Sequence, residues 1–147
     1  MSIAKIAAIA LAVGLTGCAA TGPKFQDAEA AAPKLSADQG RIYFYRGTSY
    51  FGAALQPSIV LDGTAVGNSQ RGSYFYVDAK PGSHEAQTST EATNKLSFVL
   101  ESGEIKYVRT SVGLGLMVGR VVPELVGAEE ARKEIADLNY SGTTTAK

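Results

Sequence analysis

From Arg41 onward, short apolar runs alternate with glycine, proline or asparagine at about the 8–12-residue spacing of an antiparallel β domain. The run 41–46, Arg-Ile-Tyr-Phe-Tyr-Arg, is apolar on both faces between two arginines and predicts a central strand. Residues 58–61 end at Asp62-Gly63, a two-residue turn signal before 64–67, and these predict a hairpin. In 73–78, Tyr74 and Tyr76 alternate with Phe75 and Val77, so the hydroxyls share one face and the other face is directed to the core. Pro81-Gly82 suits a type II turn into 84–90, a polar run expected at a sheet edge. Leu96, Phe98 and Leu100 lead through Ser102-Gly103 into 104–112, which predicts a second hairpin with Ile105 and Tyr107 opposite Lys106, Val108 and Thr110. A last strand is expected over 120–126. The period then changes: Ala128, Ala131, Ile135 and Leu138 form one helical stripe, with Glu129 and Glu130 in the first turn where the macrodipole favours anions. The expected fold is a single antiparallel β-sandwich of about seven short strands with one C-terminal amphipathic helix, over residues 40–140, followed by a disordered tail over 141–147.

The first 17 residues follow a different plan. Lys5 and the amino terminus are positive, 6–13 are apolar, and 14–17 are mostly small, the three parts of a secretory signal. Glycines and threonines weaken the second half against the roughly 20 strongly apolar residues that a spanning helix needs. Cleavage is therefore expected between Gly17 and Cys18. Residues 18–39, rich in alanine with Pro23 and Pro33, predict a flexible tether whose root-mean-square span is roughly 25 Å.

The run Leu15-Thr16-Gly17-Cys18 resembles the lipobox of bacterial lipoproteins. The resemblance implies a diacylglyceryl group on the Cys18 thiol, cleavage before it and acylation of the new amine, so that palmitate-type chains anchor the protein through Cys18 as its lipidation site. Several acyl chains make membrane release negligible, whereas a single myristoyl chain binds only marginally. Ala19 stands where an aspartate would resemble an inner-membrane retention signal, which implies outer-membrane residence facing the periplasm.

The chain has 14 basic and 14 acidic side chains, and losing the leader with Lys5 leaves a net charge of about −1. No basic patch supports nucleic-acid binding. Cys18 is the one cysteine, so once lipidated it leaves no thiol for a disulfide, a metal or catalysis. His84 is the one histidine. In Ser83-His84-Glu85, neighbours on a strand point to opposite faces and cannot converge as nucleophile, base and orienter, so His84 is expected to pack or hydrogen-bond locally. The glycine-punctuated stretch 113–119 lacks the lysine and the βαβ context of a phosphate loop and predicts a bend with an apolar tip of Leu114, Leu116 and Met117. No metal set and no cofactor other than the covalent lipid is expected.

The aromatic residues Tyr50, Phe51, Tyr74 and Tyr76, with Arg71 nearby in sequence, are the candidate binding surface. Tyrosine faces and a guanidinium suit a sugar ring or a protein partner, although tyrosine also populates half-buried sheet faces. The order of features over 40–140 resembles a family of Gram-negative lipoproteins known as a domain of unknown function, itself similar to PEGA-type β-sandwich modules. It rests on Arg41 to Arg46, on Val60-Leu61-Asp62-Gly63 with Val66-Gly67, on Lys80-Pro81-Gly82-Ser83-His84 and on the run from Glu129 to Ile135. These are turns, strands and a helix, so they speak for a fold and not for an activity. The expectation is a non-enzymatic envelope lipoprotein serving as an interaction or scaffold module for an envelope protein. The alternative is a glycan- or peptidoglycan-binding module.

Overall fold

The computed structural model describes residues 19–142. The expected signal 1–17, the expected lipidation site Cys18 and residues 143–147 of the expected tail lie outside the described residues. The described elements are α1 (Phe25–Ala28), β1 (Gly40–Arg46), β2 (Ser58–Leu61), β3 (Thr64–Asn68), β4 (Ser73–Ala79), β5 (Gly82–Ser89), β6 (Thr93–Leu100), β7 (Ile105–Gly113), β8 (Arg120–Val126), α2 (Ala128–Ile135) and β9 (Asn139–Tyr140). The strands form two sheets, β8-β7-β1-β4-β9 and β3-β2-β5-β6. Among the described residues no helix is long and apolar enough to cross a membrane.

Ile42 and Phe44 of β1, Ile59 and Leu61 of β2, Phe75, Ala86, Phe98, Leu100 and Val108 make one buried cluster drawn from both sheets. It fills the space between them. A second cluster covers the other face of the five-stranded sheet, where Tyr43, Tyr45, Tyr74 and Tyr107 pack beneath Phe25, Ala131, Ile135 and Leu138. With apolar material on both faces, every residue of β1 is buried, which is why 41–46 has no polar side. The helical stripe of α2 supplies Ala131 and Ile135 to this second cluster, and Leu138 continues it past the helix end.

Several expectations are corrected. Nine strands are present among the described residues, not about seven, and β9 is only two residues long, too short to leave an alternation. The sheets are not wholly antiparallel, because β1 pairs with β7 and β4 with β9 in parallel. The expected hairpin of 96–100 with 104–112 does not form. Instead β6 pairs with β5, and the turn at 101–104 carries the chain into the other sheet, where β7 pairs with β1 and β8. That turn is closed by the Glu104 amide donating to the Glu101 carbonyl at 3.1 Å and by the Glu104 carboxylate accepting from the Glu101 amide at 2.8 Å. The polar run 84–90 is no edge, since β5 lies between β2 and β6. Its sheet is covered on one face only, so Ala86 and Thr88 are buried while the intervening positions stay polar.

The largest correction concerns 18–39. From Ala20 onward this segment is folded onto the domain and is not a flexible tether. Phe25, 3% exposed, sits edge-on to Tyr43 and Tyr74 with centroids 5.3 and 5.4 Å away. Lys24 bridges to Asn139, and the Pro33 carbonyl accepts from Arg41 Nη2 at 2.9 Å. A four-residue helix does not nucleate alone, and here tertiary contacts of its one large apolar side chain hold it. The expected tail boundary shifts too, because the Ser141 amide donates to the Tyr74 carbonyl at 2.8 Å.

Candidate functional site

The five residues of the candidate surface do not share a surface. Tyr50 and Phe51 are 82% and 54% exposed on the loop after β1, and the Arg71 guanidinium lies 3.9 Å from the Tyr50 ring centroid while its Nε donates to the Thr48 carbonyl at 2.7 Å. This is a cation–π pair on an exposed loop. Tyr74 is 3% exposed beneath Phe25 and Tyr140. Burial pushes its phenol up to about 12, with the Tyr43, Tyr140 and Tyr76 phenols adding to the shift. Tyr76 is half-buried, edge-on to Tyr43 at 5.6 Å and covered on one face by the Arg41 guanidinium 4.2 Å from its centroid. The expected face of hydroxyls on β4 therefore exists, but the N-terminal segment and the end of the chain cover it.

What that cover leaves is a cavity of about 250 Å³, walled by Tyr43, Tyr74, Tyr76 and Tyr140 and roofed by residues of the segment 23–33. Phe25, Tyr43 and Tyr140 belong to this site and carry no motif. Phe25 alone among alanines gave no period to read, and Tyr140 lies beyond the helical stripe.

The charged side chains are tied into the scaffold. Arg41, on the central strand, holds Asp78 of β4 through Nε at 2.6 Å and Nη2 at 2.8 Å, a two-point pair that raises the guanidinium pKa despite burial. Arg109 spans Glu124, Glu130 and Glu134 at 3.0, 3.1 and 2.6 Å, joining β7, β8 and α2. Arg132 grips the Glu29 carboxylate and so clamps α2 to the N-terminal segment. Arg46 is buried with carbonyls as acceptors, those of Leu55, Ser69 and Gly52, and burial lowers its pKa. It shapes the loop that carries Tyr50 and Phe51.

His84 packs and bonds locally, as its place after the Pro-Gly turn predicts. Its Nδ1 meets Asp62 Oδ2 at 2.6 Å, its Nε2 meets the Lys80 carbonyl at 2.8 Å, and its ring lies 5.9 Å from that of Phe98. Both nitrogens face acceptors, the Asp62 carboxylate and the Lys80 carbonyl, an arrangement that suits the protonated ring. Among the described residues no group of three or more His, Cys, Asp or Glu side chains is placed to hold a metal ion.

The stretch 113–119 is an exposed apolar bend, with Leu114, Leu116 and Met117 at 84%, 91% and 88% exposure. Its organiser is Glu91, whose carboxylate accepts the amides of Leu116, Met117 and Val118 at 2.7, 2.7 and 3.0 Å. This contact joins the β5–β6 turn to the β7–β8 loop. A lone glutamate 25 residues upstream offers no sequence signal for it.

Residues 36–121 match the family described as Protein of unknown function (DUF2846). The match runs from before β1 to the start of β8 and stops short of α2, so the resemblance noted over 129–135 falls outside it. An "Uncharacterized protein" of Haemophilus influenzae is 32% identical over 143 residues, a similarity that covers 94% of this chain and 84% of that protein. With the family match spanning more than half of its length and a relative aligned over nearly all of it, the chain belongs to the DUF2846 family.

Proposed function

We propose that the protein is a non-enzymatic envelope lipoprotein, anchored through lipid on Cys18 in the outer membrane and facing the periplasm, whose PEGA-like β-sandwich acts as an interaction module. The carrying observation is the run Leu15-Thr16-Gly17-Cys18 behind a charged and then apolar leader. A thiol at that position, next to small residues, suits diacylglyceryl transfer and cleavage. The engagement of His84, Arg41, Arg109 and Arg132 in the scaffold supports a binding role over a catalytic one. Cells fed labelled palmitate should label the wild-type protein and not Cys18→Ser. Equal labelling of the two would overturn the anchor. Photo-crosslinking in living cells from the exposed positions 99 or 105 should trap an envelope protein, and its failure across growth conditions would remove the interaction role.

A second reading, glycan binding, is favoured by one observation, the cavity walled by four tyrosines. A sugar ring stacks on such walls and bonds to their hydroxyls. Isolated peptidoglycan should then retain the protein and lose it on Tyr76→Ala. Equal retention of both would exclude this cavity.

A further inference from the structure

We infer that the β-sandwich lies directly on the lipid bilayer, with the loops 47–57 and 113–119 dipping into its interface. This rests on the lipid-anchor reading above, and concerns where the domain sits once anchored.

The first observation is the length of the leash. The fold takes hold of the chain at once: the Ala20 carbonyl accepts from Asn139 Nδ2 at 3.1 Å, and the Gly22 amide donates to the Tyr140 carbonyl at 3.1 Å. Only two peptide units separate Cys18 from Ala20, and at full extension they span about 7 Å. A free chain of some twenty residues would let the domain drift well clear of the headgroups. This one does not.

The second observation is which end faces the anchor. Asn139 pairs with Ser73, and Ser73 pairs with Arg46 at the end of β1. Residues 47–57, 69–72 and the β7–β8 loop all leave the five-stranded sheet at this end. The segments 47–57 and 113–119 contain no charged residue. They lie side by side: a side chain at Gly119 would lie 3.1 Å from Leu55, and one at Gly52 would run into Val112, the β7 residue just before the second segment. Together they expose Tyr50, Phe51, Leu114, Leu116, Met117 and Val118. The turns at the opposite end carry Asp38, Asp62, Lys80, Glu101 and Glu104. At the anchored end Lys24, Asp137, Arg71, Glu91 and Arg120 flank the two apolar loops without interrupting them, so the loops themselves are the uncharged part of that end.

The third observation is how the tip is built. An amide taken out of water needs a partner, and apolar loops seldom provide one. Glu91 satisfies three successive amides of the tip from behind, so the side chains of Leu116, Met117 and Val118 can leave water without stranding their backbone. Arg71 stacked on Tyr50 is the pairing of a cation and an amphipathic ring that suits the headgroup layer.

The chain contains no tryptophan, so Leu116→Trp in the full-length lipidated protein gives a single emission reporter. The protein is reconstituted into vesicles of phosphatidylethanolamine and phosphatidylglycerol, with and without brominated acyl chains. Leu116→Trp should be blue-shifted and quenched about twofold by bromine, while Val99→Trp, exposed on β6 towards the opposite end, should be unaffected. An unquenched Leu116→Trp in protein that floats with the vesicles overturns the docking and leaves the anchor standing. A blue shift without bromine quenching that grows with protein density means a second copy covers the loops, and also overturns it. Protein that neither floats nor incorporates palmitate brings down the anchor, and the docking with it.

Discussion

Phe25 meets Tyr43 edge to face, with ring centroids 5.3 Å apart and planes at 85°. This contact converts an alanine-rich segment into part of the fold, because Phe25 is the one side chain of α1 that reaches the buried cluster. Truncating a buried phenylalanine costs about 3–5 kcal/mol where the site cannot collapse, and the adjoining cavity leaves little to collapse against. Phe25→Ala should therefore lower stability by about 3 kcal/mol in urea unfolding and open the segment 24–39 to limited proteolysis before the sheets unfold. Unchanged protection of that segment would mean that the Arg132–Glu29 clamp suffices without the ring.

The Arg41–Asp78 pair should respond asymmetrically. Asp78→Asn leaves a buried guanidinium without its anion and should cost about 2–3 kcal/mol, at the low end of such losses because Asp78 is partly hydrated. Arg41→Met together with Asp78→Leu removes both charges and should cost less than the single change. Denaturant midpoints of the three variants decide it. A double variant weaker than Asp78→Asn would show that the Arg41 bond to the Pro33 carbonyl matters more than the ion pair.

Gly67 stands where β3 crosses the ring of Phe75. A methyl group there would lie 2.5 Å from Phe75 Cζ, and that ring is fixed by stacking on Phe44 at 5.3 Å. Gly67→Ala should cost about 1–3 kcal/mol through this overlap, even though alanine suits a strand better than glycine. Gly63→Ala meets no neighbouring atom and should be hurt only through its positive φ of 83°. Thermal unfolding of both variants separates packing from backbone.

His84 and Asp62 link stability to pH. Burial lowers the histidine pKa, but the bonds to Asp62 and the Lys80 carbonyl outweigh it and hold the group above its ordinary 6.5. That contribution is complete below 6.5 and is lost as pH rises through the raised value. Asp62 behaves oppositely. Burial raises it, yet the Glu85 amide and His84 bring it below 3.8, so its contribution holds above 3.8 and is lost as pH falls through the lowered value. The pair should therefore add most between about pH 4 and 6.5. His84→Gln should flatten the decline in urea midpoint above pH 6.5, and a wild-type midpoint level from pH 5 to 8 would contradict the linkage.

How far residues announce this structure depends on whether their role is local. The runs 58–61 and 120–126 were legible because alternation and turn residues define a strand from within. Asp62-Gly63 was legible because both residues take the positive φ its turn requires, 50° and 83°. The partner of β6 was not, since Ser102-Gly103 shows that the chain reverses but not that it changes sheet. Tyr74 illustrates the same limit at the candidate site. Its alternation with Phe75 was readable, whereas its covering by Phe25 and Tyr140 depends on residues 49 and 66 positions away.

Glu91 gives the most direct test of the apolar loop. Three amides point at one carboxylate, and the bonds from Val118 and Met117 lead in drawing its pKa below the ordinary 4.5. A depressed carboxyl keeps its grip above its unfolded value and loses it only as pH falls through the lowered one. Hydrogen exchange at Leu116, Met117 and Val118 should therefore stay slow through pH 4.5 in the wild type. Glu91→Gln keeps the shape of the side chain but loses the charge that strengthens these bonds, and exchange at the three amides should quicken roughly tenfold. The amides of β7 and β8 on either side should not change. Equal rates at the tip in both proteins would mean that the loop is held by its contact with residues 50–55, and that Glu91 follows its position rather than setting it.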